Sequence, residues 1–318
     1  VKAFSRLYGF TDSVSIDVGG TTTDIGQYLN GTVAEVRRGH VEGISVSIPL
    51  CEIMSAGAGG SSIFRVVNNH VTIGPDSVGA VPGPACFGRG GKEATITDAG
   101  LLCGLFDPKS YFGGGMTLDV ERATNAVTTN IAEPLRLKLD DALQQMEHAY
   151  EEKIAVELHR FTKISKDTVM LAFGGAGPLN ACGVAEKAGI DQVAIPQMAA
   201  VFSAYGSGSC DVSQRYTVML EQHDTASLKD ALDALKVKAS RDMYAEGYEA
   251  GNYAMEARLV ADFGNGGEET QPLDDEPVFP AAFAKAGTVE LELKAVKALR
   301  TEGAKKASFT RGKPAVSV

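Results

Sequence analysis

Residues 14–18 (Val-Ser-Ile-Asp-Val) predict a strand buried in the interior. Gly19 and Gly20 interrupt it, and 21–25 resume an extended pattern that continues through 25–29 to Asn30-Gly31. Asn-Gly is a strong two-residue hairpin signal, so 32–37 is expected to return as the next strand. Residues 55–62 read as a flexible glycine loop. Residues 74–91 carry nine Gly and Pro positions broken by apolar residues, which predicts a shaped surface. A helix-like run follows Thr95-Ile96-Thr97-Asp98 as far as Leu105. Residues 118–132 and 137–162 predict helices with Pro134 between them. In the second, Leu139, Leu143, Met146, Tyr150, Ile154, Leu158 and Phe161 recur at helical spacing. Residues 168–173 are continuously apolar, as in a strand covered on both faces. Gly174 to Pro178 follows, and Pro178 suits the first turn of a helix reaching about 187, stopped by Gly189. Residues 192–195 form the next short strand, completing a strand–helix–strand unit of the α/β kind. Beyond a weak seam at 215–225, a helix over 226–247 and strands over 254–263 and 288–299 predict an α+β part, the two strands joined by an acid-rich polar loop. The expected division is 1–215 and 216–318.

Composition changes this picture in several places. Glycine is 36 of 318 residues, above the usual level of about 7%, and it sits in clusters where backbone must turn sharply or approach a ligand. The net charge of −10 argues against nucleic acid or an anionic membrane as partner. The basic residues Lys305, Lys306, Arg311 and Lys313 gather at the C-terminal end and read as a solvated tail. Five separated cysteines without a Cys-x-x-Cys pair favour free buried thiols over a disulfide framework or zinc cluster. With no apolar run near 18 residues and no signal-peptide pattern, a cytoplasmic location is expected.

Two motifs carry chemistry. In Asp17-Val18-Gly19-Gly20-Thr21-Thr22-Thr23-Asp24, a glycine pair after an apolar strand lets backbone N–H groups reach phosphate oxygens. Thr21, Thr22 and Thr23 add hydroxyl donors, and Asp17 and Asp24 are candidate ligands for a divalent cation. Mg²⁺ prefers one or two carboxylates plus phosphates and waters. The competing reading is a tight hairpin with a polar tip. In Phe173-Gly174-Gly175-Ala176-Gly177-Pro178, small residues between a buried strand and a helix N-terminus leave room for a nucleoside; close strand–helix packing is the alternative. Asp98 is a third candidate, as a cation- or substrate-contacting carboxylate or as a helix cap. Arg89 is either a phosphate neutraliser or a surface turn residue. Cys86 reads as packing.

Together the two motifs resemble one lobe of an actin-like (ribonuclease H-like) ATPase. With the block from Gly74 to Gly91, residues 95–99, 173–180 and Phe202-Ser203-Ala204-Tyr205-Gly206, the chain resembles the hydantoinase A/oxoprolinase family over about 14–215. The resemblance implies an α/β lobe with a mixed sheet and flanking helices, with a smaller α+β part after it. It also implies ATP with Mg²⁺ or Mn²⁺ as cofactors, and ATP-driven activation of a carbonyl, amide or bicarbonate oxygen. Asp17, Asp24 and Asp98 would be the catalytic carboxylates, Gly19 to Thr23 would hold phosphate, and Gly174 to Pro178 the nucleoside. Family members carry an earlier phosphate motif in an N-terminal domain. That half is expected here from another polypeptide, alongside a hydantoinase B-like chain and a small-molecule substrate, as in the small hydantoinase A-like subunit of acetophenone carboxylase type complexes. Two positions depart from the family pattern: Asn180 stands where a histidine is usual, and Asp262 to Glu268 is a degraded form of a motif that carries Arg and Gln. They keep open a non-catalytic lobe, and the family keeps open a hydantoinase or 5-oxoprolinase.

Overall fold

The computed structural model describes residues 1–298 apart from 38, 42, 47, 48, 265 and 266. The basic tail, and Asn265 and Gly266 of the degraded motif, lie outside the described residues. The chain divides into two compact units between Gly208 and Ser209.

In the first unit, helix α1 (Lys2–Tyr8) leads into strand β1 (Asp12–Val18), which turns through 19–22 into β2 (Thr23–Leu29). Asn30 and Gly31 both have positive φ, 51° and 85°, the conformation a tight Asn-Gly hairpin demands. The strand expected over 32–37 divides: β3 (Thr32–Val33) pairs with β2, whereas Glu35–Val36 pairs with Leu50–Cys51. Next come β4 (Ile53–Ala56), the hairpin β5 (Ser62–Val67) and β6 (His70–Ser77), then α2 (Ile96–Leu102), α3 (Val120–Val127) and α4 (Leu139–Phe161). Pro134 lies inside a short helical turn. The chain breaks instead at Arg136, whose φ is 55°. The unit closes with β7 (Val169–Phe173), α5 (Ala181–Ala188), β8 (Gln192–Ala194) and α6 (Phe202–Gly208).

The sheet order is β8-β7-β1-β2-β3, with β4 also pairing β2. β1, β7 and β8 run parallel while β2 runs antiparallel to β1, so the sheet is mixed, as the family resemblance implies. One face buries Val14, Ile16, Val18, Ile25, Met170 and Ala172 against Met146, Tyr150, Ile154 and Leu158 of α4 and Val184 of α5. The other buries Val169, Leu171 and Phe173 against Phe10, Ala199 and Phe202, with Phe4 and Tyr8 of α1 alongside. β7 is apolar throughout because it is covered on both faces.

The second unit is a four-stranded antiparallel sheet. β9 (Val212–Met219), β10 (Ala254–Asp262), β11 (Glu268–Leu273) and β12 (Thr288–Lys297) take the order β9-β12-β10-β11. Alternate residues Val289, Leu291, Leu293 and Ala295 of the inner strand pack with Leu228, Leu232, Ala239 and Met243 of helix α7 (Thr225–Ala245). On the opposite face Arg258 and Glu292, cross-strand partners, form an ion pair. The seam expected at 215–216 falls inside β9. The acid-rich stretch expected as a loop contains the edge strand β11.

Candidate functional site

The turn between β1 and β2 is built from backbone. Gly19 N–H donates to Thr22 O at 2.9 Å, which closes the hairpin. Gly19, Gly20, Thr21 and Thr22 are exposed. Among the described residues, no carbonyl accepts from the N–H groups of Gly20, Thr21 or Thr22. A row of free N–H groups at a tight turn is an anion-binding concavity.

Residues 55–62, expected to be a flexible loop, instead brace this turn. Ala58, Gly59, Gly60 and Ser61 are buried. Gly60 N–H donates to Gly19 O and Ser61 N–H to Gly20 O. The Ser62 hydroxyl accepts from Gly59 N–H and donates to Thr21 O. A methyl group on Gly59 would stand 2.7 Å from the Thr21 carbonyl carbon and the Thr22 nitrogen, so only glycine allows the two chains to meet. Thr97 of α2 fixes the brace from behind, its hydroxyl donating to Gly60 O at 2.7 Å.

The carboxylates are set by register. Asp17 and Asp24 are directly opposed across the antiparallel β1–β2 pair, and Ser55 of β4 is opposed to Asp24. Phe173 of β7 is the parallel partner of Asp17. Phe173, Asp17, Asp24 and Ser55 therefore form one cross-strand row on one face, with Cβ atoms of opposed residues about 4.5–5.5 Å apart in the antiparallel pairs. Like charges directly opposed destabilise a sheet. The row offers two carboxylates, and no group of three His, Cys, Asp or Glu suited to a metal exists among the described residues. That donor set fits Mg²⁺ arriving with phosphate and keeping its waters, and does not fit an all-protein metal cage.

The second motif meets the first at the carboxyl ends of the parallel strands, the end where open α/β sheets bind ligands. Gly174 has φ 87°, and a methyl there would lie 2.5 Å from Asp17 Oδ1 and from Val18 O. Gly174 N–H donates to Ala199 O and Ala176 N–H to Val18 O. A methyl on Gly177 would run into the Phe173 carbonyl oxygen, whereas Gly175 is exposed with open space around it. The loop thus has a structural reason for its glycines at 174 and 177 and presents Gly175 outward. The helix begins later than Pro178 suggests: α5 starts at Ala181 with Asn180 as its N-cap, making no side-chain cap bond. Pro178 sits in the preceding turn, so this loop does not present a helix N-terminus directly.

Two candidates are corrected. Thr23 faces the core: it is fully buried and its hydroxyl donates to Ala58 O at 2.6 Å, so it is no phosphate donor. Beside it, burial pushes the Tyr150 phenol up to about 12, with the Thr23 side chain pulling slightly the other way. Asp98 is fully buried at the third position of α2 in a capping box with Thr95. It accepts from Thr95 N–H (3.0 Å), Thr95 Oγ1 (2.7 Å), Cys86 N–H (2.8 Å) and Ala85 N–H (3.4 Å). That carboxylate ties the 74–91 block to α2, and the groups that donate to it are protein N–H and hydroxyl groups. Burial, then the charge of Asp98, drives the Cys86 thiol far above its ordinary range, so it is packing. Arg89 stands exposed in a turn between Gly88 and Gly90, both with positive φ.

Ser203 of α6 is a residue that sequence reasoning left without a role. Its hydroxyl donates to Asp17 Oδ2 at 2.7 Å, and the Ser55 hydroxyl donates to Asp24 Oδ1. The signal for Ser203 was its place in the family-like block at 202–206. Ser55 had none beyond its position in the glycine loop.

Residues 1–216 match the hydantoinase/oxoprolinase family. The acetophenone carboxylase gamma subunit of Aromatoleum aromaticum is 30% identical over 264 residues, which cover 77% of this chain and 36% of that subunit. The caprolactamase alpha subunit of Pseudomonas jessenii is 27% identical over 272 residues, 80% of this chain and 39% of that one. The chain spans well under half the length of these relatives. Nucleotide-free acetone carboxylase superposes with a TM-score of 0.75 at 22% identity, over 94% of this chain and 48% of that one, which shows a shared fold. This chain belongs to the hydantoinase/oxoprolinase family.

Proposed function

We infer that this chain binds ATP with Mg²⁺ and serves as a subunit of an ATP-dependent carboxylase assembly of the acetone or acetophenone type. The observation that carries the reading is the braced, exposed turn at Gly19–Thr22, flanked by the opposed pair Asp17 and Asp24. In this reading Gly20, Thr21 and Thr22 donate N–H and hydroxyl groups to phosphate. Asp17 and Asp24 hold the cation, and the surface at Gly174 to Gly177 receives the nucleoside with Gly175 outermost. When bound, ATP supplies the phosphoryl group that activates a ketone or bicarbonate oxygen. The chain's own contribution is positioning and charge neutralisation, which supply most phosphoryl-transfer catalysis. Other subunits, among them a hydantoinase B-like chain, complete the assembly.

The likeness to a caprolactamase subunit favours a second reading with the same first step, ATP-driven opening of a cyclic amide. Phosphate release from ATP by the purified assembly separates them. Stimulation by acetone or acetophenone with bicarbonate supports the first, and stimulation by a lactam or 5-oxoproline supports the second. Stimulation by neither class sinks both.

A further inference from the structure

The two carboxylates of the site are each gripped by a serine hydroxyl that arrives from a different element. Ser203 comes from α6, which packs on the sheet face through Phe202, whose ring lies tilted against that of Phe173 with centroids 4.8 Å apart. Ser55 comes from β4, next to β2. The arrangement is matched: one hydroxyl on Asp17 Oδ2, one on Asp24 Oδ1. The remaining oxygen of Asp17 lies against the bare Cα of Gly174, a position that any side chain there would occupy.

This pattern has a physical purpose. Two carboxylates opposed at cross-strand distance repel, and without restraint they would turn outward to separate rotamers. A donor on one oxygen of each fixes the carboxylate plane while leaving lone pairs on both acids for a shared ligand. Hydrogen bonds to metal-binding carboxylates act in this way in metal sites generally, and their loss typically weakens metal affinity by 10–100-fold.

We propose that Ser203 and Ser55 are positioning residues that preset Asp17 and Asp24 for the cation that accompanies the nucleotide. The proposal rests on the ATP·Mg²⁺ reading of the site. It also makes α6 part of the site: the hydroxyl that aligns Asp17 sits on the same helix as Phe202, so seating of α6 on the sheet sets the geometry of the carboxylate.

The test is calorimetric titration of ATP into the full chain, in whatever complex it purifies, at a series of MgCl₂ concentrations and in EDTA. Ser203→Ala and Ser55→Ala are compared with Ser203→Thr and Ser55→Thr, which keep the hydroxyl. The expected result is that each alanine variant needs about 10–100-fold more Mg²⁺ for half-maximal nucleotide binding. Binding in EDTA and the melting temperature without Mg²⁺ should stay at wild-type values, and the threonine variants should return the Mg²⁺ midpoint toward wild type. A wild type whose binding depends on Mg²⁺, with alanine variants at the same midpoint, overturns this proposal and leaves the reading of the site standing. Equal loss of binding with and without Mg²⁺ also overturns it, since the serines would then support the fold alone. A wild type that binds no ATP removes both.

Discussion

The three aspartates noted in the first unit separate by what surrounds them. Asp98 is enclosed by four donors, two of them backbone N–H groups of the 85–86 segment. Asp98→Asn is expected to destabilise by about 1–3 kcal/mol, seen as a lowered melting temperature, because buried N–H groups lose a charged acceptor. Asp17→Asn and Asp24→Asn should leave the melting temperature unchanged or slightly raised, since each relieves a like-charge opposition, while abolishing Mg²⁺-dependent nucleotide binding. Glycines divide in the same way. Gly59→Ala drives a methyl into the Thr21–Thr22 peptide and is expected to cost about 1–3 kcal/mol and to deform the turn. Gly175→Ala meets open space and should preserve the fold, so any loss of ATP affinity in that variant reports ligand contact. Thermal melts beside ATP titrations of the two variants check both statements. At this scale the sequence displayed the turn at Gly19 and Gly20 and the place of Asp17 near the end of its strand. It did not display the burial of Thr23: three consecutive threonines look alike until strand register assigns the third to the core face.

Elements explain which parts of the fold were legible. β1, β7, α4 and α7 were readable because their apolar periodicity matches one dominant environment. α4 shows one stripe to the sheet, and β7 is apolar on both faces. β11 was missed because it is an edge strand with five exposed residues, Glu268 to Pro272, so its sequence carries no burial signal. The brace at 57–61 was misread because glycine content suggests freedom, while here it marks contact between two backbones. Asp98 was open to a capping role from sequence, and it fills one as the third-position acid of a capping box whose N-cap is Thr95. α4 also carries a pH prediction. The Tyr150 phenol is raised from 10.0 to about 12 by burial, so the neutral form is favoured in the folded state. The stability this contributes is complete below pH 10 and is lost as pH rises toward 12, amounting to roughly 2–3 kcal/mol across that window. Denaturant melts from pH 9 to 11.5 should show stability falling in wild type and falling less in Tyr150→Phe. Parallel curves would contradict the assignment.

For the whole molecule, the division at Gly208 leaves each unit with its own core. Leu228, Leu232, Leu259, Leu291 and Leu293 lie within a single cluster of the second unit. Residues 209–298 expressed alone should unfold in one cooperative transition, read by circular dichroism against denaturant; a gradual melt would show that this core is incomplete. The site, by contrast, belongs wholly to the first unit, where the parallel strand ends, the braced hairpin and α6 converge. In the proposed function, this convergence holds ATP through phosphate and cation. The decisive experiment is calorimetric titration of ATP with Mg²⁺ into the chain and into any complex that co-purifies with it. Saturable binding that depends on Mg²⁺ and disappears in Asp17→Asn is expected. Absence of binding in both preparations, or binding indifferent to Mg²⁺ and to Asp17→Asn, would contradict it.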